Sequence, residues 1–288
     1  VDDRERLVEA VTERVLRLLE AEGEGSCVDC EGGCAASCSD KVRAMVAVGA
    51  TRVSYQGRGG EVPLDLGSYI DHTLLKPEAT PADIDRLCDE AVEYGFASVC
   101  VNPVWVRRAA SRLRGTEVKV TSVVGFPLGA SAPEIKALEA RRALRDGARE
   151  IDMVINVGAL KAGDLELVAS DIARVAEACR EVGAVCKVII EAALLSDEEK
   201  VVASRLAQRA KAQYVKTSTG FGPGGARVFD VGLMREAVGP AMGIKAAGGI
   251  RTREQVQELI RAGATRIGAS AGVSIVSGNE TGAKSGRY

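Results

Sequence analysis

The sequence predicts an α/β protein whose main body is a closed (β/α)8 TIM barrel, preceded by a helical, cysteine-containing extension. Three observations carry this. From residue 64 onward, short Val- and Ile-rich runs alternate with amphipathic runs at helical spacing, the pattern of parallel strands joined by crossover helices. Eight such units fit into roughly 215 residues, the length at which eight units close on themselves. An open doubly wound sheet is the alternative, but nothing in the chain matches a dinucleotide fingerprint.

The 288 residues carry a formal net charge of -2, so no general attraction to nucleic acid is implied, and an anionic ligand must be held by local groups. Hydrophobic residues make up 46% and charged residues 27%, the balance of a globular protein in water. Aromatics are only 3%, so the core must be built mainly from Val, Ile, Leu and Ala. No apolar run approaches a membrane span and no secretory signal pattern is present, which points to the cytoplasm.

Residues 1–60 form the extension. Residues 2–21 predict an amphipathic helix with Leu7, Val8, Val11, Val15, Leu18 and Leu19 at helical spacing, followed by a Gly- and Glu-rich linker. Such a helix either packs on the body or a second subunit, or docks in an apolar groove of another protein. A short amphipathic helix before a linker also resembles the peptides that direct enzymes into bacterial microcompartments. Cys27, Cys30, Cys34 and Cys38 follow within twelve residues. Four thiols this close suit tetrahedral zinc or an iron–sulfur cluster, although the spacing is not that of paired CxxC knuckles. Redox-active thiols and no ligand at all are the other readings. A helix from Asp40, a short strand near Val53 and a linker at residues 57–60 complete this part.

The barrel spans residues 61–278. Strand one is Tyr69 to Thr73. Thr80 caps the next helix with Pro81 at its first position, and Ile84, Leu87, Cys88 and Val92 face inward. Strand two runs Ala97 to Val101, then a helix from Val104 to Leu113. Strand three, Val118 to Val124, ends in Gly125-Phe126-Pro127-Leu128-Gly129, and a helix from Pro133 to Asp146 follows. Strand four is Glu150 to Asn156, followed by a helix from about Leu165 to Val182. Strand five is Cys186 to Glu191, and Ser196-Asp197-Glu198-Glu199 opens the next helix with a capping-box pattern. Strands six and seven hold Lys216 and Lys245, and strand eight is Thr265 to Ser270. Residues 279–288 form a tail.

In a barrel the strand C-termini share one face, where Asp71, Asp152, Lys187, Lys216 and Lys245 then converge. A charged amine in an apolar strand is costly unless it is paired or neutral. A free lysine with a pKa near ~10.4 is only ~0.04% neutral at pH 7, and lowering the pKa to ~7 raises the free amine roughly a thousandfold. Burial and a second cation within ~4–6 Å both act in that direction. Two lysines at strand ends before glycines therefore suggest one nucleophile and one tuner of its charge. A neutral amine attacks a carbonyl to form a Schiff base, whose iminium accepts electrons from a breaking carbon–carbon bond. Asp152 is the best-placed carboxylate to move protons. A buried ion network of Asp152, Lys187 and Lys216 is the structural reading of the same residues. Gly220, Gly222, Gly248, Gly249, Gly268 and Ser270 lie in glycine-rich turns after strands six, seven and eight, where backbone amides can hold a phosphate. Together these features point to a Schiff-base lyase acting on a small phosphorylated sugar.

Six ordered segments carry a family resemblance: Asp71-His72-Thr73-Leu74-Leu75-Lys76-Pro77, Val99-Cys100-Val101-Asn102-Pro103, Val124-Gly125-Phe126-Pro127-Leu128-Gly129, Glu150-Ile151-Asp152-Met153-Val154-Ile155-Asn156, Lys216-Thr217-Ser218-Thr219-Gly220 and Lys245-Ala246-Ala247-Gly248-Gly249-Ile250-Arg251. Across residues 64–277 the chain resembles the deoxyribose-phosphate aldolases. The resemblance implies reversible cleavage of 2-deoxy-D-ribose 5-phosphate to D-glyceraldehyde 3-phosphate and acetaldehyde by a class I aldolase with no catalytic cofactor. It implies Lys216 as the Schiff-base lysine, Lys245 as the group that lowers its pKa, and Asp152 as a proton relay through a water. Thr219 and Lys187 become supporting polar groups, Asp71 part of the substrate pocket wall, and Asn102 a substrate-side residue. The family also implies a homo-oligomer, dimer or tetramer, and a role in deoxynucleoside catabolism.

Three departures stand out. Phe221 follows Ser218-Thr219-Gly220 where some members carry lysine, and Ala271 follows Ser270 where some carry a second serine. Phosphate binding then leans on backbone amides. Some relatives end in a tyrosine that reaches the site from a mobile tail, and this chain ends in Tyr288. His72, the single histidine, reads as a hydrogen-bonded structural residue, Cys100 as a packed thiol and Trp105 as helix–core packing.

Overall fold

The computed structural model of the protein describes residue 62 and residues 65–278. Residues 2–21, Cys27, Cys30, Cys34, Cys38 and Tyr288 lie outside the described residues. Eight strands form one closed barrel in chain order: β1 (Ile70–Leu74), β2 (Ser98–Val101), β3 (Lys119–Val124), β4 (Glu150–Val154), β5 (Val185–Ile189), β6 (Tyr214–Lys216), β7 (Gly243–Ala247) and β8 (Arg266–Ala269). Every neighbouring pair is parallel, and β8 closes on β1 with Gly268 opposite Asp71. The helices are α1 (Pro81–Glu93), α2 (Val106–Arg112), α3 (Pro133–Asp146), α4 (Val157–Lys161), α5 (Leu165–Arg180), α6 (Asp197–Arg209), α7 (Val228–Val238), α8 (Arg253–Arg261) and α9 (Gly272–Ser277).

Capping chemistry sets the helix starts. Thr80 and Asp83 form a reciprocal capping box on α1, as do Ser196 and Glu199 on α6 and Thr252 and Gln255 on α8. The buried stripe of α1 is Ile84, Leu87, Cys88 and Ala91. Val92, expected in that stripe, is 46% exposed, because it sits one residue past Ala91 and is rotated toward solvent. Several strands end earlier than the apolar runs suggest. Asn156, expected in β4, accepts a hydrogen bond from the Ala159 amide and caps α4. Glu191, expected in β5, adopts φ 53 and turns the chain out of the sheet. Tyr69, expected in β1, closes a 3-10 turn.

Two cores result. Outward-facing strand residues such as Ile70, Val99, Ile151, Met153, Val188, Val215, Ile244 and Ile267 pack against the helices in one apolar layer. The barrel interior is different. Inward positions on all eight strands are Asp71, Ser98, Thr121, Glu150, Asp152, Lys187, Lys216, Lys245 and Arg266, which are bonded to one another. Barrels usually fill this space with branched apolar side chains. Among the described residues, only Leu75, Cys100 and Val123, with Phe126 against them, form a second apolar patch.

Candidate active site

Strand pairing brings the lysines and carboxylates together. Lys216 ends β6 opposite Lys245 of β7, and Asp152 on β4 lies opposite Lys187 on β5. All four side chains enter the barrel. Asp152 Oδ2 accepts from Lys216 Nζ at 2.8 Å and from Lys245 Nζ at 2.7 Å. Its Oδ1 accepts from Lys187 Nζ at 2.9 Å. Both β6 and β7 amines therefore reach the same oxygen atom, and each lies in the range where one cation disfavours charge on the other.

The three lysines differ in their anions. Lys187 contacts Glu150 at 2.5 Å, Asp152 at 2.9 Å and Asp71 at 3.5 Å. Lys245 contacts Asp71 at 2.6 Å and Asp152 at 2.7 Å. Among the described residues, Lys216 pairs with Asp152 alone. It is also the only one of the three with any exposure, at 2%. Burial lowers the Lys216 pKa, Asp152 offsets part of this, and Lys245 lowers it further, so the net shift is below the ordinary lysine value. Burial acts on Lys245 in the same way, but Asp152 and Asp71 outweigh it and hold that amine charged. Lys187 is held charged against the same burial by Asp152, Asp71 and Glu150. Burial opposes ionisation of Asp152, and the three lysines overcome it, leaving the carboxyl far below the usual carboxylate range.

A second tier lies beneath. Arg266 Nη1 donates to Asp71 Oδ1 at 2.7 Å and lies 3.3 Å from Glu150 Oε2, with its guanidinium 5.5 Å from the Tyr214 ring centre. Ser98 donates to Asp71 at 2.7 Å, and Thr121 donates to Glu150 at 3.0 Å. Asp71 was expected on the pocket wall. It is fully buried, and its Oδ2 pairs with Lys245 at 2.6 Å and Lys187 at 3.5 Å. Gly268, expected in the phosphate cradle, is buried inside β8. A Cβ there would lie 3.0 Å from Lys245 Cε, so the position leaves room for that lysine.

The loops after β6 and β7 meet backbone to backbone. The Ala226 amide donates to the Gly248 carbonyl at 3.0 Å, and a Cβ on Gly225 would sit 2.2 Å from that carbonyl oxygen. Gly220 and Gly248, with φ 90 and 93, face each other across this contact, and Gly249 follows with φ 75. Ser270 is exposed beyond the end of β8 and borders a cleft shared with His72, Glu90, Tyr94 and Ser274. At the mouth Phe221 packs edge-on against Phe126, ring centres 5.3 Å apart. Asn102 donates to the Leu75 carbonyl at 3.0 Å, which ties the loop after β2 to the one after β1.

Sequence reasoning missed Arg266 and Glu150 of the lower tier, and two groups outside it. Glu191 is buried beneath the β6 loop and accepts from the Thr219 hydroxyl and from its amide at 3.2 Å, so Thr219 is tied to Glu191 rather than to Asp152. A Cβ on Gly222 would lie 2.8 Å from the Glu191 carboxyl carbon. The only signal was an acidic residue at the end of an apolar run. Lys136 of α3 is fully buried and donates to Asp171 of α5 at 2.5 Å and to the Val154 carbonyl at 2.8 Å, which anchors the end of the strand that carries Asp152. His72 bonds Glu90 at 2.7 Å outside the barrel, and burial pushes the Cys100 thiol up, so neither offers a nucleophile.

Known proteins share this arrangement of sequence. A model of the DeoC/LacD family of aldolases matches residues 66–288. A deoxyribose-phosphate aldolase of Thermococcus kodakarensis is 61% identical over 216 residues, 74% of this chain and 96% of the relative. One from Streptococcus gordonii is 58% identical over 225 residues, 78% of this chain and all of the relative. Among solved structures, the tetrameric deoxyribose phosphate aldolase of Aeropyrum pernix superposes with a TM-score of 0.72 at 35% identity, covering 78% of this chain and 95% of that one.

Proposed function

The chain belongs to the DeoC/LacD family of aldolases and is a class I carbon–carbon lyase acting on deoxyribose phosphate, and on that premise we propose that Lys216 is its Schiff-base lysine. The observation that carries this is the unequal treatment of two lysines on one carboxylate oxygen. Lys245, with two carboxylates, keeps its proton. Lys216, with one carboxylate and a cation beside it, is biased toward the free amine.

In the cleavage direction the free amine of Lys216 adds to the C1 aldehyde of open-chain 2-deoxy-D-ribose 5-phosphate. Loss of water leaves an iminium. The C3 hydroxyl gives up its proton, the C2–C3 bond breaks, and its electron pair moves into the iminium as an enamine. C3 becomes the aldehyde of D-glyceraldehyde 3-phosphate. The enamine takes a proton at C2, and water releases acetaldehyde and the amine. Asp152 is bonded to the Lys216 amine and is held ionised, so it takes up and returns protons there, through a water when the reacting carbon is out of reach. Lys245 stabilises negative charge that develops near the amine. The iminium itself is the electron sink, so the cleavage uses no further cofactor. The phosphate lies against the amides of Gly220, Gly222, Gly248 and Gly249, with Ser270 at the rim, and Asn102 lines the substrate side. The same reading gives Tyr288 a part in proton transfer at the site, expects a homo-oligomer, and assigns docking to residues 2–21.

Incubation with acetaldehyde and borohydride, followed by mass mapping, should place a two-carbon adduct on Lys216. Lys216→Ala should trap none and lose cleavage. Trapping at wild-type level in that variant overturns the assignment.

A further inference from the structure

The buried cluster has an odd charge count. Its cations are Lys187, Lys216, Lys245 and Arg266, and its anions are Asp71, Asp152 and Glu150, all joined by the contacts above. Four possible positive charges face three negative ones. An uncompensated charge in a desolvated site costs several kcal/mol, so the cluster is most stable at zero net charge. One cation must then give up its proton. Arg266 cannot, because a guanidinium does not deprotonate in proteins. Lys187 and Lys245 are each held by more than one carboxylate. The remaining site is Lys216.

Other groups around Lys216 do not alter the count. β2 contributes Cys100, a packed thiol, and β3 contributes Thr121 and Val123. Glu191 past the end of β5 is a carboxylate outside the cluster: it accepts from Thr219 and has no described ion pair with any of the four cations. Tyr214 stacks under Arg266.

We infer that Arg266 and Glu150, at the N-terminal ends of β8 and β4, are positioning residues that set the protonation of Lys216 through the charge parity of the buried cluster. Neither has a contact with the Lys216 side chain among those described. Arg266 supplies the surplus positive charge, and Glu150 holds Lys187 and Arg266 in the count. The inference deepens the proposed reaction and rests on Lys216 as its amine.

The test is the pH dependence of acetaldehyde trapping at residue 216, read alongside kcat/KM for cleavage. A free amine is required, so both fall on the acid side of the Lys216 pKa. Arg266→Met removes the surplus cation, protonated Lys216 then balances the cluster, and the acid limb should move up by roughly one pH unit. Arg266→Lys keeps the charge and should leave the limb in place. Glu150→Gln removes an anion and should move the limb down. The double variant should return it toward the wild-type position. A purely structural role lowers the amplitude in every variant and does not move the limb in opposite directions. If Arg266→Met does not fold, Glu150→Gln with the double variant decides the matter. Limbs that stay fixed, or that move the same way in both single variants, overturn the inference. Adducts that persist in Lys216→Ala overturn the underlying reaction instead, so the two failures are distinguishable.

Discussion

Lys216 and Lys245 are the same residue type, opposite each other in register, bonded to one oxygen of Asp152. Their difference is the number of carboxylates within reach, and this predicts opposite effects on stability. Lys216→Met removes a desolvated amine that the cluster cannot neutralise as a cation. It should abolish activity yet raise stability by about 0.5–2 kcal/mol, the usual scale when a strained functional group is relieved. Lys245→Met leaves Asp71 and Asp152 short of a partner and should cost about 3–5 kcal/mol. Urea unfolding of both variants checks the pair. A Lys216→Met protein as destabilised as Lys245→Met contradicts the assignment of charge. Glu191 belongs to the same scale: its left-handed φ of 53 is held by a carboxyl bonded to Thr219, a local cost retained at the lip of the site.

The elements that matter most are the loops after β6 and β7. Their backbones touch at Gly225 and Gly248, where no side chain fits, so the two loops pack as one unit. Phe221 sits at the tip of the first loop, 38% exposed, with its ring against Phe126 of the β3 loop. An aromatic edge cannot bind a phosphate as an ammonium does. Phe221→Lys should therefore raise the preference for phosphorylated over unphosphorylated deoxyribose by about tenfold, which one added charge-assisted hydrogen bond of ~1.5–3 kcal/mol can supply. Steady-state kinetics on both substrates would show it. An unchanged preference places the phosphate away from this loop.

The barrel is an apolar shell around an ionic interior, and that arrangement sets its response to acid. Asp71 and Asp152 are desolvated, yet surrounding cations hold both well below the usual carboxylate range. A carboxyl depressed in the folded state contributes stability above its unfolded pKa of ~3.9, and the contribution is lost as pH falls through the folded value. Lys216 adds linkage of the same sign in a higher pH window. Its folded pKa is lowered, so the unfolded chain binds the proton more readily, and stability rises with pH between the folded value and ~10.4. The urea midpoint should thus fall steeply below about pH 4. Asp152→Asn should be less stable at neutral pH with a shallower acid slope. Equal slopes for the two proteins would mean that the cluster does not govern acid stability.

Much of this molecule is legible along the chain. Eight apolar runs alternating with helices suffice for the barrel, because parallel strands must be buried on both faces. Thr80 with Asp83 and Ser196 with Glu199 start their helices through bonds that span three residues, so local order specifies them. Lys216, Lys245 and Asp152 are conspicuous because charge inside an apolar strand needs a partner or a function. Contacts that join distant residues are a different matter. Asp71 reads as a pocket residue until barrel closure sets Arg266 against it, 195 positions away. Gly268 reads as a phosphate turn until strand pairing puts it against Lys245. Glu191 and Lys136 carry no motif, and their roles come from packing against Thr219 and Val154. Which lysine loses its proton follows from how many carboxylates surround each amine. That number exists only once all the strands have closed, because Coulomb energy depends on distance in space and not on distance along the chain.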